Sequence, residues 1–307
     1  MARQRIAAIS RMESVSVTAI HSRSNDRARN FIDELGLDRA KAVSWPELLE
    51  DDTIDGVVVT SPNADHEPKA TDALRRGKSL LIEYPPATTV EGADRIAEQG
   101  ATSGSSIHVG LTHRYGPAYT GRKSLFSPGG ELGRPISYQQ SICTGNPISR
   151  WYNDDSLSGG MFVASLFHHL DLVVSILGSV SSSSSDYWVE RDIDGLILRD
   201  RGSVSLQHHN GTVSQIVYAR GLSKPGVGSR GVAIFENGYL IEDDKVYTLA
   251  PRGRTEVTWD TGDAMFDDTK AFVDLLATDE LSNGSLEASR ETLELSISLQ
   301  RGAVRRV

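Results

Sequence analysis

Short apolar runs alternate with amphipathic stretches through the first third of the chain. Val15–Ile20 precedes Ala28–Leu35, Gly56–Thr60 precedes His66–Arg76, Ser79–Glu83 precedes Val90–Gln99, and Ser106–Leu111 closes the series. This spacing predicts parallel strands joined by crossover helices. Val57-Val58-Val59 and Leu80-Leu81-Ile82 are apolar throughout, as strands covered on both faces are. In such sheets the ligand crevice lies at the carboxyl ends of the strands.

Beyond residue 120 the pattern changes. Ser203–His208, Thr212–Ala219, Gly231–Phe235, Tyr239–Ile241 and Val246–Leu249 follow one another at hairpin spacing, with Asn237-Gly238 as a turn signal. A mostly antiparallel sheet is predicted, with one helix before it, Gly160–Leu177, and two after it, Asp263–Leu276 and Ser285–Gly302. Helices gathered on one face of such a sheet make an α+β domain. The serine run 181–185 reads as a solvated loop.

Composition narrows the classes. The chain has 307 residues, enough for a sizeable core, with a formal charge of −9 that offers no basic face to nucleic acid. No apolar stretch is long enough for a membrane helix. The start Met1-Ala2-Arg3-Gln4-Arg5 has no secretory run, and Cys143 is the sole cysteine, so a cytoplasmic protein without disulfides is expected. HExxH, paired cysteines, a G-x-S-x-G elbow and a P-loop are all missing, and no metal site is expected.

Five stretches carry a resemblance: Ser22-Arg23 after the first strand, Thr60-Ser61-Pro62-Asn63 with His66, Glu83-Tyr84-Pro85, Gly133-Arg134-Pro135, and Gly159-Gly160 with His168 and Asp171. In order and spacing they resemble the glucose–fructose oxidoreductase/inositol dehydrogenase (Gfo/Idh/MocA) family. The resemblance implies a Rossmann-like dinucleotide-binding domain, over 1–118, and an α+β substrate and oligomerisation domain, over 119–307. It implies that the Thr60, Pro62, Asn63 and His66 loop and the Glu83 turn lie at the cofactor, and that a helix of the second domain brings acid/base groups to a carbonyl or hydroxyl substrate.

The sequence departs from that family in three places. The family opens with a strand and a Gly-rich turn that receives the pyrophosphate. Here Met1–Met12 reads as the helix after that turn, so either the start codon was chosen too late or the sheet closes in another way. The absent strand would sit between Val15–Ile20 and Gly56–Thr60. The one G-x-G-x-x-G, at Gly226, Gly228 and Gly231, lies between two strands of the second half and reads as a hairpin loop. Second, Tyr84 replaces the family's lysine, as in the biliverdin reductase branch; a phenol can still be a general acid, or pack as an aromatic at a domain junction. Third, Ala164 stands at the position of the family's aspartate and Leu166 at that of a glycine, making a polyol-gripping side apolar.

The other candidates each carry two readings. His168 and Asp171, at i and i+3, share a helix face on which the carboxylate could orient the imidazole of a substrate-site residue, or His168 is an interior histidine. His169, turned about 100° away, reads as packing or surface. Ser22 and Arg23 suit the 2′-phosphate of NADP, or form a plain solvated loop. Asn63 and His66 face a ligand, or Asn63 or Asp65 simply caps the following helix. His113 and Arg114 end the last parallel strand, Arg114 as an anchor for an anionic or carbonyl group or as an interdomain ion pair. Trp151 and Tyr152 wall a pocket or pack the core.

Three functions follow from the sequence. The favoured expectation is a cofactor-independent acid/base enzyme using Tyr84 and His168 on a cyclic hydroxy- or carbonyl-compound, with no cofactor, or NADP if any. The alternatives are an NADP-dependent reductase or dehydrogenase, and a non-catalytic ligand-binding or regulatory protein. Val204, Leu206, Val213, Gln215 and Val217 alternate on the antiparallel sheet, and a homodimer or higher homo-oligomer through its open face is expected.

Overall fold

The structure, a computed structural model, describes all residues except 128, 146–148, 222–228, 244–245, 251–252, 260–261, 279–280, 283 and 307. Gly226 and Gly228 of the glycine motif lie outside the described residues. The chain forms two compact units: Met1–Ser61, Asp65–Tyr115 and Asp263–Arg290 make the first, and Pro62–Ala64, Gly116–Gly262 and Glu291–Val307 the second. The expected boundary at residue 118 therefore misses the return of Asp263–Arg290 to the first unit.

In the first unit, α1 (Ala2–Ile9) leads to β1 (Ala19–Ile20), α2 (Asn25–Leu35), β2 (Lys41–Ala42), α3 (Trp45–Glu50), β3 (Gly56–Val59), α4 (His66–Arg75), β4 (Ser79–Glu83), α5 (Val90–Ser103) and β5 (Ile107–Gly110). Every pairing is parallel, but the strands form two sheets, β1–β2 and β3–β4–β5. The break between β1 and β3 falls where the sequence reading puts the family's first strand. Leu80, Leu81, Ile82, Ile107 and Val109 are fully buried, which is why these strands read as uninterrupted apolar runs. The helices start on local signals: Ser24 accepts from Arg27 N, Ser44 and Glu47 form a capping box, and Thr89 accepts from Gly92 N.

The second unit contains α6 (Pro117–Leu125), β6 (Pro135–Thr144), α7 (Asp155–Ser158), α8 (Phe167–Leu177), β7 (Val180–Arg191), β8 (Ile197–His208), β9 (Val213–Arg220), β10 (Ser229–Phe235), β11 (Gly238–Glu242), β12 (Val246–Ala250) and β13 (Gly253–Val257). After α9 (Ala264–Leu276) in the first unit, α10 (Gly284–Gly302) passes back to the second, and β14 (Val304–Arg306) ends the chain. The sheet order is β13-β12-β11-β10-β6-β9-β8-β7-β14; β6–β9 and β7–β14 are parallel and the rest antiparallel. Tyr138, Ile142, Val204, Leu206, Ile216, Ala233 and Phe235 face Phe126 of the α6 end and Leu170 and Val173 of α8 in one core. The serine run 181–185, expected as a loop, lies inside β7 and pairs with β8. The helix expected over 160–177 is broken: Met161–Ser165 forms a π turn before α8.

Candidate functional site

Four strands of the first unit end in the segments singled out from the sequence. After β1, Ser22 is half-buried and Arg23 exposed, and Ser24 beside them caps α2. After β3, Thr60 and Pro62 are half-buried, while the Ser61 hydroxyl is buried without a hydrogen-bond partner. After β4 come Glu83, buried, and Tyr84, half-buried, with a cis Tyr84–Pro85 peptide. After β5, Thr112–Tyr115 forms a 3₁₀ turn that holds His113 and Arg114 half-buried. Burial, and the charge of Asp268 after it, push the Tyr115 phenol up.

Two residues of the Thr60–His66 segment are committed to the protein itself. Asn63 is buried and donates from Nδ2 to the Ser158 carbonyl at 2.8 Å. His66 is 1% exposed, with Nδ1 at 2.7 Å from the Pro85 carbonyl and Nε2 at 2.9 Å from that of Ser61. The ring joins the ends of β3 and β4 to each other, which is a bracing role and not the cofactor contact expected from the sequence.

A charge cluster that sequence reasoning missed holds Glu83 of the Glu83–Tyr84–Pro85 turn. Arg5 of α1 is 1% exposed. It donates from Nε to Glu83 Oε1 at 2.7 Å, from Nη1 to Thr269 Oγ1 at 2.9 Å and from Nη2 to Thr112 Oγ1 at 3.2 Å, and it pairs with Asp268 Oδ2 at 2.7 Å. Asp268 also receives the Thr112 hydroxyl at 2.7 Å and lies 2.7 Å from His108 Nε2. Burial acts to raise the Asp268 carboxyl, but the His108 hydrogen bond and the Arg5 charge outweigh it and hold it below the ordinary range. Glu83 moves the other way: burial pushes it up against the pull of Arg5, and its Oε2 has no partner. The opposite shifts follow from the unequal division of donors between two carboxylates.

In the second unit the candidates surround the π turn. Tyr152 donates to the Ala164 carbonyl at 2.8 Å, burial pushes its phenol up to about 12, and the Arg220 guanidinium lies 5.6 Å from its ring. Trp151 stacks on it edge-on at 5.2 Å. Tyr152 is thus a bracket for the π turn, and Ala164 sits in that turn and not on the regular helix with His168. His168 is half-buried, its ring 4.0 Å from that of His169, and His169 Nδ1 lies 3.1 Å from Gln140 Oε1. Asp171 is fully buried and accepts from Thr292 Oγ1 at 3.0 Å, which ties α8 to α10. Among the described residues no cluster of three or more potential metal ligands occurs, and no helix is long and apolar enough to cross a membrane.

A parallel α/β unit with helical crossovers and polar strand ends, followed by a mixed sheet backed by helices, defines a two-part nucleotide-binding oxidoreductase architecture. The profile of an oxidoreductase family's NAD-binding Rossmann fold matches residues 1–111, and that of its C-terminal α/β domain residues 128–232. The chain belongs to the Gfo/Idh/MocA family. It is 29% identical over 162 residues to scyllo-inositol 2-dehydrogenase (NAD(+)) of Bacillus subtilis, which is 52% of this chain and 46% of that protein. It is 28% identical over 212 residues to an inositol 2-dehydrogenase/D-chiro-inositol 3-dehydrogenase of Lacticaseibacillus casei, 67% of this chain and 58% of that one. The chain spans about half the length of the first curated relatives it matches. The Synechocystis sp. PCC 6803 biliverdin reductase, solved with biliverdin and NADP+, has the same fold at a TM-score of 0.86 and 21% identity, covering 98% of this chain and 95% of that one. A 3-ketoreductase from Actinomadura kijaniata, solved with NADP, gives 0.83 and 21% over 99% and 94%.

These relatives overturn the expectation of a cofactor-independent acid/base enzyme. They are oxidoreductases, the matched first domain is a NAD-binding fold, and the structurally similar chains hold NADP.

Proposed function

We propose that the protein is an NADP(H)-dependent oxidoreductase that interconverts a carbonyl and a hydroxyl on a cyclic, partly apolar small molecule. The observation that carries this reading is the set of polar groups at the strand ends of the first unit. Ser22 and Arg23 follow β1 where an acidic residue would favour the free ribose of NAD, and a hydroxyl with a guanidinium suits a 2′-phosphate. The Ser61 hydroxyl is buried and has no hydrogen-bond partner among the described residues, which leaves a donor near the end of β3 for a ligand.

Bound there, the nicotinamide would supply hydride. The chain's own groups supply the rest: Arg23 and Ser22 grip the phosphate, Ser61 donates a hydrogen bond, and Tyr84 protonates the carbonyl oxygen as it becomes a hydroxyl. His168, on α8, is proposed as the second unit's substrate-facing group. Assays would start from inositols, the cyclic hydroxy-compounds named for the relatives. A homo-oligomer through the open face of the second unit's sheet is proposed as the working state.

Calorimetric titration of the 307-residue protein tests the reading. NADPH is expected to bind more tightly than NADH, and Arg23→Ala to remove that preference, a loss of about 10- to 100-fold for one charge-assisted contact. Tyr84→Phe is expected to leave NADPH binding intact and to lower kcat by about 10²- to 10⁴-fold. A folded protein that binds neither nucleotide overturns the proposal.

A further inference from the structure

The cluster around Arg5 is built for direction more than for strength. One buried guanidinium, from α1, meets the end of β4 through Glu83, the turn after β5 through Thr112, and α9 through Asp268 and Thr269. Its planar fork makes these bonds at fixed angles, which a lysine ammonium on a flexible stem does not. Buried ion pairs are poor sources of stability compared with apolar packing of the same volume, but they define orientation. The fit is close on the remaining side too: a Cβ on Gly110 would lie 2.3 Å from Arg5 Nη2 and 3.1 Å from Glu83 Oε2, so this position of β5 is kept open for the pair. Glu83 is the residue before Tyr84, and its only hydrogen-bonded carboxylate oxygen is the one on Arg5.

We propose that Arg5, anchored by Asp268, is a positioning residue for the Glu83–Tyr84–Pro85 turn, fixing the Glu83 carboxylate and through it the backbone from which Tyr84 presents its phenol. The proposal deepens the reductase reading and rests on it for the catalytic consequence, but the geometry of the turn is measurable without any nucleotide.

The test uses the full chain labelled with 13Cζ-tyrosine, the Tyr84 signal being assigned by its loss in Tyr84→Phe. Arg5→Gln, Arg5→Lys and, as control, Arg134→Gln, which breaks only an exposed pair with Glu236, are compared after thermal melts establish that each is folded. Arg5→Gln is expected to move the Tyr84 signal, because the Glu83 carboxylate next to it in the chain loses its guanidinium donor. Arg5→Lys is expected to leave the signal displaced, though by less, since it restores the charge beside Glu83 but lacks the fork. Both are expected to lower kcat by on the order of 10- to 100-fold while the KM for NADPH stays within about twofold, the mark of misplacement at the reacting centre. Should the Arg5 variants not fold, Thr112→Val removes one bond from Arg5 and one from Asp268 at nearly constant volume and is expected to shift the same signal. A folded Arg5→Lys or Thr112→Val protein whose Tyr84 signal matches the wild type overturns the proposal. Wild-type protein that binds no nucleotide overturns the reductase reading alone and leaves the resonance test standing.

Discussion

His66 shows how a residue legible in the sequence can change meaning once it is placed. Its position after Thr60-Ser61-Pro62-Asn63 suggested a ligand contact, yet its ring is enclosed between two carbonyls. A neutral imidazole has one N–H, so only one of these carbonyls can receive it. Burial lowers the His66 pKa against the opposing pull of the Pro85 and Ser61 carbonyls. The unfolded chain then takes up a proton near pH ~6.5 while the folded chain does not, so the stability is complete above that pH and is lost as the pH falls towards the folded value. The thermal midpoint is expected to drop between pH ~6.5 and ~5.5, and His66→Gln to start lower but to fall less over that interval. His21 and His208, also lowered by burial, keep the slope from vanishing. A slope equal to the wild type in His66→Gln would show that the ring does not titrate with folding. Arg5 and Asp268, by contrast, were invisible in the sequence. They are 263 positions apart, both sit in ordinary amphipathic helices, and only the fold brings them together; an arginine followed at once by Ile6-Ala7-Ala8-Ile9 was the single available signal.

At the level of elements, the parallel strands were readable because they are buried on both faces and so apolar at every position. The serine run was not, because its order comes from backbone pairing: β7 is bonded to β8 along its length and to β14 on its other side, while Ser181–Ser184 stay exposed and add no apolar signal. Tertiary pairing overrides a weak strand propensity here. The π turn was equally hidden, since Met161–Ser165 reads as the start of a helix. Its onset depends on Gly160, at φ 90° and ψ 177°, a region reserved for glycine. A Cβ there would also lie 2.4 Å from Gln300 Oε1. Gly160→Ala is expected to cost about 1–3 kcal/mol in urea unfolding, whereas Gly302→Ala, with open space around it, serves as the neutral comparison. Equal unfolding curves for Gly160→Ala and wild type would remove the special role given to this turn.

At the scale of the molecule, the sheet of the second unit carries apolar side chains on the face away from its helices. Tyr239, Ile234, Ser137 and Val213 are register neighbours across β11, β10, β6 and β9, and Val217 and Val232 lie beside that row, 53% and 40% exposed. Ser137, Gln139 and Gln215 stand among these exposed apolar residues, and the proposed homo-oligomer would cover both kinds. Light scattering is expected to give a mass of at least two chains for the wild type and one for Val217→Lys/Val232→Lys, with unchanged melting; a monomeric wild type would rule the oligomer out. The two-unit organisation was legible from the change of periodicity, but its boundary was not, because a contiguous cut cannot describe a unit to which the chain returns.

That return has a consequence for biosynthesis. Translation delivers Arg5 and Glu83 early, whereas Asp268 and Thr269 emerge only after strands β6–β13 have left the ribosome. Until then a buried guanidinium site is short of one of its two counter-ions, and the nascent first unit cannot lock. Its last step therefore waits on a late stretch of the chain, and strands β6–β13 of the other unit have the opportunity to pair first.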